Sequence, residues 1–461
     1  MRFEPKLAAA RFGYGAALRQ PLPERAEDMV AEARAPDAHA ALYPLLTTAE
    51  MVETQETFRA TRRAMNRAEN DTVKAAKRRE LEALEDVTRY WTLDDFRATL
   101  IRQIEQPTGV RERLVAFWED HFTARAAGPV IGSATAVLSN DAVRPHVTGR
   151  FADMLKAVVR SPIMLLYLDQ AGSLGPNSRR VRQSGKRGMN ENLARELLEL
   201  HTLGVDGPYS QQDVRELAEL LTGLTLKRGE GFVFREDFAE PGGETVLGKI
   251  YGGRGRPDGL VAIDAALDDL ALHPVTARHL ATKLAVHFVS ETAERALVDD
   301  LAATYLDSGG DLGAVTELLL THPLAHAPEL RNVKLPMEFF ASVLRALGVE
   351  AEALTVLEPK RVQQMFTGQM LRMGQRWRVP RDPAGLPEED DFWITPSALA
   401  TRVNWSMRVP EQLVDRLPDP RELLTRVIAD PPKELVFAVG AAEARPEGVG
   451  IVFASPSFQR R

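Results

Sequence analysis

Between Gly188 and Gly204 the chain reads Gly-Met-Asn-Glu-Asn-Leu-Ala-Arg-Glu-Leu-Leu-Glu-Leu-His-Thr-Leu-Gly, gathering two amides, three carboxylates, an arginine and a histidine into one short stretch. Glu196 and His201 are the residue types that exchange protons near neutral pH, so either could serve as a general base. Wound at about 100° per residue, Leu193, Ala194, Leu197, Leu198 and Leu200 form one apolar face that also carries Asn190 and His201. Glu191, Arg195 and Glu199 recur every fourth residue on the other side, a spacing that stabilises a helix through exposed ion pairs. Glu196 lies on the border between the faces, where a carboxylate needs a partner because burying it alone is costly. Asn190 suits an N-cap and Gly204 the left-handed residue that ends a helix. A competing account makes Asn190 a cap, His201 a hydrogen-bonded core histidine and the charged trio a solvated ladder.

The elements that must hold these groups are helical. After Gly204, Ser210-Gln-Gln-Asp213 forms a capping box that opens a second helix ending at Gly223, so the two make a hairpin. Phe117-Trp118-Glu119-Asp120-His121-Phe122 places a polar pair among three aromatics, which suits either a dry-walled site around His121 or an apolar core in which His121 bonds a carbonyl. Arg144 is the arginine best placed to fix an anionic group. Residues 47–105, rich in Ala, Glu, Arg and Leu, predict two long amphipathic helices interrupted at Asn70-Asp71-Thr72. These helices could support a protein partner or pack on their own domain.

Leu267–Leu272 stops at His273-Pro274, and Leu312–Thr321 stops at His322-Pro323. Proline disfavours helix in the residue before it, and the two histidines are expected to meet the C-terminal ends of the preceding helices. His279, Lys283 and His287 share a face, but the lysine between the imidazoles opposes a bound cation. Residues 171–187, rich in Gly, Ser and Arg, predict a surface loop. Its Arg179, Arg180, Arg182 and Lys186 could meet an anion beside the following helix N-terminus. Gly231–Arg235 and Thr245–Ile250 alternate as one small β-hairpin. Residues 374–396, with two tryptophans and several prolines, predict a long ordered segment that either covers a site or simply crosses the fold.

The totals remove whole classes of function. Of 461 residues, 44% are hydrophobic and 27% charged, an ordinary globular balance. A net charge of −7 argues against a general nucleic-acid binder. The absence of cysteine excludes disulfides and thiolate chemistry, so a metal would need His, Asp, Glu or amide ligands. No apolar run is long enough for a membrane helix. The N-terminus lacks the apolar stretch of a signal peptide, which gives cytoplasmic residence as the expectation and a periplasmic one if a leader has been removed. Dinucleotide, nucleoside-triphosphate, zinc-protease, serine-hydrolase and di-iron helix motifs are all missing, so no cofactor is named by the sequence and no metal site is expected.

Asn190-Glu-Asn-Leu-Ala-Arg-Glu-Leu-Leu-Glu-Leu-His-Thr-Leu-Gly-Val-Asp-Gly207, followed by Gln212-Asp-Val214 and Leu221-Thr-Gly223, resembles the hallmark of a bacterial family known as domain of unknown function 1800. Arg11-Phe-Gly-Tyr-Gly15, the Phe117–Phe122 block, Arg144-Pro-His146, Ser161–Asp169, residues 374–396 and the Ser455–Arg461 ending carry the resemblance over essentially the whole chain. The family usually has an amide where this chain has Asp120, and His-Glu-Pro-Gly where it has Ala239-Glu-Pro-Gly242. That second departure weakens any metal site built on the family's histidines. The resemblance implies export signals in many members and an association with a second uncharacterised family.

The sequence therefore predicts an all-α protein, a compact bundle of helical hairpins with one minor β-hairpin. It reads as a single domain over 1–461, with residues 47–105 as a possible subdomain and 106–461 as the helical body. Its expected function is an enzyme or small-molecule-binding protein with a polar interhelical pocket. Glu196, His201 and His121 are the catalytic candidates; Arg144, Asp169, Asn190, Asn192 and Arg195 are the substrate-binding candidates. The competing function is a non-catalytic scaffold or assembly partner, acting through the helices at 47–105.

Overall fold

The computed structural model describes residues 3–125, 127–185, 188–253, 258–381 and 383–461. It is 63% helical. Thr47 opens helix α1 (Thr48–Arg67) with a capping box: its hydroxyl accepts the Glu50 amide, and the Glu50 carboxylate accepts the Thr47 amide at 2.9 Å. Asn70 then starts α2 (Asp71–Glu105) by accepting the Thr72 amide at 2.7 Å. The interruption expected at Asn70-Asp71-Thr72 is thus the corner of a helical hairpin. Its outer part is held by a small cluster of Phe58, Leu81 and Val130. Only from Asp95 onward is α2 buried almost continuously.

The body has two apolar cores. The first is built from α3 (Val110–His121), α4 (Phe151–Arg160), α5 (Asn192–Glu196), α6 (Gln211–Leu220), α7 (Leu260–Ala271), α8 (Pro274–Phe288), α9 (Arg295–Asp307) and α10 (Leu312–Thr321). The second joins the end of α2 to α11 (Pro336–Leu347), α12 (Pro396–Arg408) and α13 (Arg445–Ala454). Each core follows the rule that an amphipathic helix must bury its apolar stripe against another element.

The small amount of sheet corrects the expectation of one hairpin. β1 (Leu224–Lys227) pairs with β2 (Gly231–Phe234), and β3 (Gly243–Val246) pairs with β4 (Lys249–Gly252), both antiparallel. The two expected strands therefore lie in different hairpins. The reason is local: Leu247 and Gly248 both have positive φ, 49° and 76°, which is the two-residue turn that folds a chain directly back on itself.

Three further expectations change. His273 and His322 do mark helix boundaries, but their Nδ1 atoms accept the Val275 and Leu324 amides at 3.2 Å, so they cap the elements that follow rather than the helices that precede. The stretch at 171–187 contains a short helix, Arg179–Ser184, capped by the buried Ser178; Lys186 lies outside the described residues. The hallmark stretch is not one regular helix either, since α5 continues as a π-helical turn over Leu197–Thr202 before Gly204 ends it at φ 87°.

Candidate functional site

Helix α3 presents two different faces. Glu112, Val115, Ala116, Glu119 and Asp120 recur at helical spacing and line a cavity of about 120 Å³. One residue on, His121 turns into the first core beside Trp118 and Phe122. The opposite walls of the cavity come from Tyr14, Thr99 and Gln103, from Leu138, Ser139 and Arg144, and from His287, Met337 and Glu338. Residues 375–380 and 386–388 complete it, so the long segment expected at 374–396 does run over a cavity. Because Val115 and Leu138 belong to one apolar core and Tyr14 and Met337 to the other, the cavity lies on the seam between them, a place where ligand sites commonly form.

Most of its charged side chains are paired. Arg144 grips Glu112 with two nitrogens at 2.8 and 2.6 Å and reaches Asp37 at 2.7 Å. Arg378 joins Asp95 to Glu119. Glu338 sits between Arg113 and Arg461, with Arg461 at 2.8 Å. His287 holds Glu388 at 2.7 Å through Nδ1, and its Nε2 faces Arg113 at 3.3 Å. Burial pushes His287 down to about 4, so the ring is neutral at pH 7 and donates from Nδ1. Burial alone would raise Glu388, but His287, Arg461 and Lys283 outweigh it and hold the carboxylate at about 2.

Asp120 behaves differently. Burial raises its carboxyl to about 7, opposed by Lys283 and reinforced by Glu388. Both carboxyl oxygens take the Leu386 amide, at 2.9 and 3.1 Å. A carboxyl that changes charge near pH 7 in a cavity has the property a general acid or base requires. Three neutral polar atoms on the cavity wall, Tyr14 Oη, Gln103 Oε1 and Ser139 Oγ, are buried without a hydrogen-bond partner. Such atoms are rare in folded proteins and mark places where something polar is expected to bind.

The residues singled out in the sequence fall in four places. His121 and His201 come together in the interior, ring centroids 6.0 Å apart, with His279 6.3 Å from His121. The π turn explains why. It shifts Leu203 onto the carbonyl of Leu198, and the end of the helix leaves the carbonyls of Leu200 and His201 to other donors. His279 Nε2 meets Leu200 O at 3.1 Å and His121 Nε2 meets His201 O at 3.2 Å. Burial drives His201 down to about 3 and His121 well below its usual range, so both rings are neutral. Glu196 is half-buried and its carboxyl is raised by burial and by Glu199.

Arg195 spans Glu191 and Glu199 at 3.6 and 3.1 Å, the exposed ladder foreseen from its spacing. Asn192 is exposed, and its amide is accepted by Asn190 Oδ1 at 2.8 Å; the N-cap itself is Glu191, whose carbonyl takes the Arg195 amide, so Asn190 stands one residue before the cap expected of it. Asp169 and Asn190 share a surface depression with Met189 and Leu165, and Asp169 has a left-handed backbone at φ 56°. Of the eight candidates only Arg144 lines the seam cavity, with its guanidinium already committed to Glu112 and Asp37. The sequence held a signal for the other wall: Glu112, Glu119 and Asp120 stand at i, i+7 and i+8, which places three carboxylates on one face of the helix.

Among the described residues no group of three His, Asp or Glu side chains could hold a metal ion, and no helix is long and apolar enough to cross a membrane. Neither the curated proteins nor the solved structures contain a match to the chain. Residues 7–460 match the family described as "Protein of unknown function (DUF1800)". The blocks at Arg11–Gly15, Phe117–Phe122 and Asn190–Gly207 thus all lie within one family model that spans both apolar cores, and the chain belongs to the DUF1800 family.

Proposed function

We propose that the protein is an enzyme acting on a small molecule held in the seam cavity, with Asp120 as the proton-transferring group. The observation that carries this reading is the combination at one position of near-neutral titration, cavity exposure and a hydrogen bond to the covering segment at Leu386. Burial raises the carboxyl, and Lys283, Glu388 and the Leu386 amide adjust its protonation. Tyr14, Gln103 and Ser139 supply hydrogen bonds to the ligand, while Val115, Leu138, Met337 and Trp377 supply its apolar surroundings. The interior histidines His121 and His201 act in this reading by fixing the end of the hallmark helix. The test is equilibration of the purified protein with a small-molecule extract, followed by mass spectrometry of what it retains and converts. Molecules retained by the wild type and by Asp120→Asn, but converted only by the wild type, support the proposal; a wild type that retains nothing contradicts it.

A second reading, as a partner-binding scaffold, is favoured by the helical hairpin α1–α2. Arg59, Arg62, Arg63 and Asn66 lie on one exposed face of α1 and share a groove with Arg228. A face of that charge suits an acidic partner. Loss of a copurifying acidic protein on Arg62→Glu/Arg63→Glu, with cavity binding intact, would support this reading, and unchanged association would count against it.

A further inference from the structure

The charge layout of the seam cavity restricts what can occupy it, a deduction that rests on the cavity being a small-molecule site. Four of the five carboxylates on its wall already have a counterpart: Glu112 has Arg144, Glu119 has Arg378, Glu338 has Arg113 and Arg461, and Glu388 has His287. The fifth, Asp120, accepts the Leu386 amide and has no ion pair among the described residues. Arg144 and Arg378 are each held by two carboxylates. The remaining cation on the wall, Arg376, is exposed at the rim. A carboxylate ligand in the interior of the cavity would meet guanidiniums that are already held and the Asp120 carboxyl beside them, whereas an ammonium ion could pair with Asp120. The anion would be left buried without a partner, which costs far more than burying a hydrogen-bonded neutral group.

What the wall does offer is neutral. Tyr14 Oη and Ser139 Oγ can each donate or accept, and Gln103 Oε1 can accept. All three are buried and unpartnered, with residue exposures of 1%, 1% and 3%. We infer that the cavity selects an uncharged molecule, apolar in its body and bearing a hydroxyl or primary amide, over carboxylates of the same shape. This departs from the sequence expectation that Arg144 would fix an anionic group, because that guanidinium is occupied.

Two compounds of one shape test it: benzyl alcohol and benzoate, titrated at pH 7.5 into the full chain while following the indole N–H resonance of Trp377, whose Nε1 donates to Asp95 at 2.9 Å beside the cavity. The expected result is saturable binding of benzyl alcohol, with benzoate weaker by about tenfold or more. Tyr14→Phe and Ser139→Ala should each weaken the alcohol by about fivefold, the scale of one lost hydrogen bond. Preference for benzoate overturns the inference and leaves the small-molecule site standing. Failure of both to perturb the cavity overturns the inference together with the reading it rests on. Ser139→Ala, which only removes an oxygen, keeps the comparison available should Tyr14→Phe fail to fold.

Discussion

The carboxyl group of Asp120 and the backbone amide of Leu386 are hydrogen-bonded at 2.9 and 3.1 Å, so the group that titrates near neutrality also fastens the segment lying over the cavity. In the proposed function, proton transfer and the cover of the cavity depend on one side chain.

Replacing Asp120 by Asn keeps an acceptor for Leu386 and removes the titration. The carboxyl is raised from 3.8 to about 7 in the folded chain, so the folded state binds the proton more tightly. Its contribution is present in full below about pH 4 and is lost as pH rises to about 7. Urea midpoints measured from pH 4 to pH 8 should show a falling component in the wild type that Asp120→Asn lacks. Equal slopes in the two proteins would refute the raised carboxyl.

The interior histidines titrate in the opposite sense. His201 is depressed from 6.5 to about 3, so its contribution is present above about pH 6.5 and is lost as pH falls toward 3. His121→Phe should cost about 1–3 kcal/mol at pH 7, because the buried His201 carbonyl loses its donor. A thermal midpoint unchanged within a degree would show that the bond contributes nothing.

Two arginines chosen from sequence should separate sharply. Arg144→Met strands Glu112 and Asp37 and is expected to destabilise by about 3–5 kcal/mol. Arg195→Ala removes an exposed ladder and should cost well under 1 kcal/mol. Chemical denaturation of both variants checks the ordering, and comparable losses would contradict it.

At Gly385 the covering segment passes directly against the end of α3. A Cβ there would lie 2.6 Å from an Asp120 carboxyl oxygen and 2.8 Å from the Asp120 carbonyl oxygen. Gly385→Ala should lift the segment, weaken the Leu386 bond and reduce binding in the cavity, while the hairpin α1–α2, far from the contact in sequence, keeps its helicity. Ligand titration of the variant, compared with its circular dichroism, reads both effects; undiminished binding would count against a closed cover.

The sequence made the helical architecture legible where signals were local. Ser210 announced a helix start through its capping box, and composition bounded the two long helices at 47 and at the break of 70–72; in the structure Thr47, Asn70 and Ser210 each cap the helix that follows. The hallmark stretch was legible as a buried helix because its leucines repeat every third or fourth residue. Its π turn was not, since one inserted residue changes the phase of everything after it and has no composition signature. The seam cavity was the least legible part. Tyr14, Asp120, Ser139, His287 and Glu388 are brought together only when two cores assemble, and no spacing along the chain encodes that meeting. The choice of His121 over Asp120 shows the resolution needed: one residue, about 100° around a helix, separates a wall of the cavity from the interior of the core.

The central claim is that the cavity between Tyr14, Asp120 and Trp377 is where this protein meets its ligand. A crystallographic screen of small neutral fragments tests it most directly. The account predicts recurrent density against Tyr14 Oη and Ser139 Oγ, lost in Ser139→Trp, whose indole would fill the space. Fragments gathering instead in the depression formed by Asp169, Met189 and Asn190, with the seam cavity left unvisited, would contradict it.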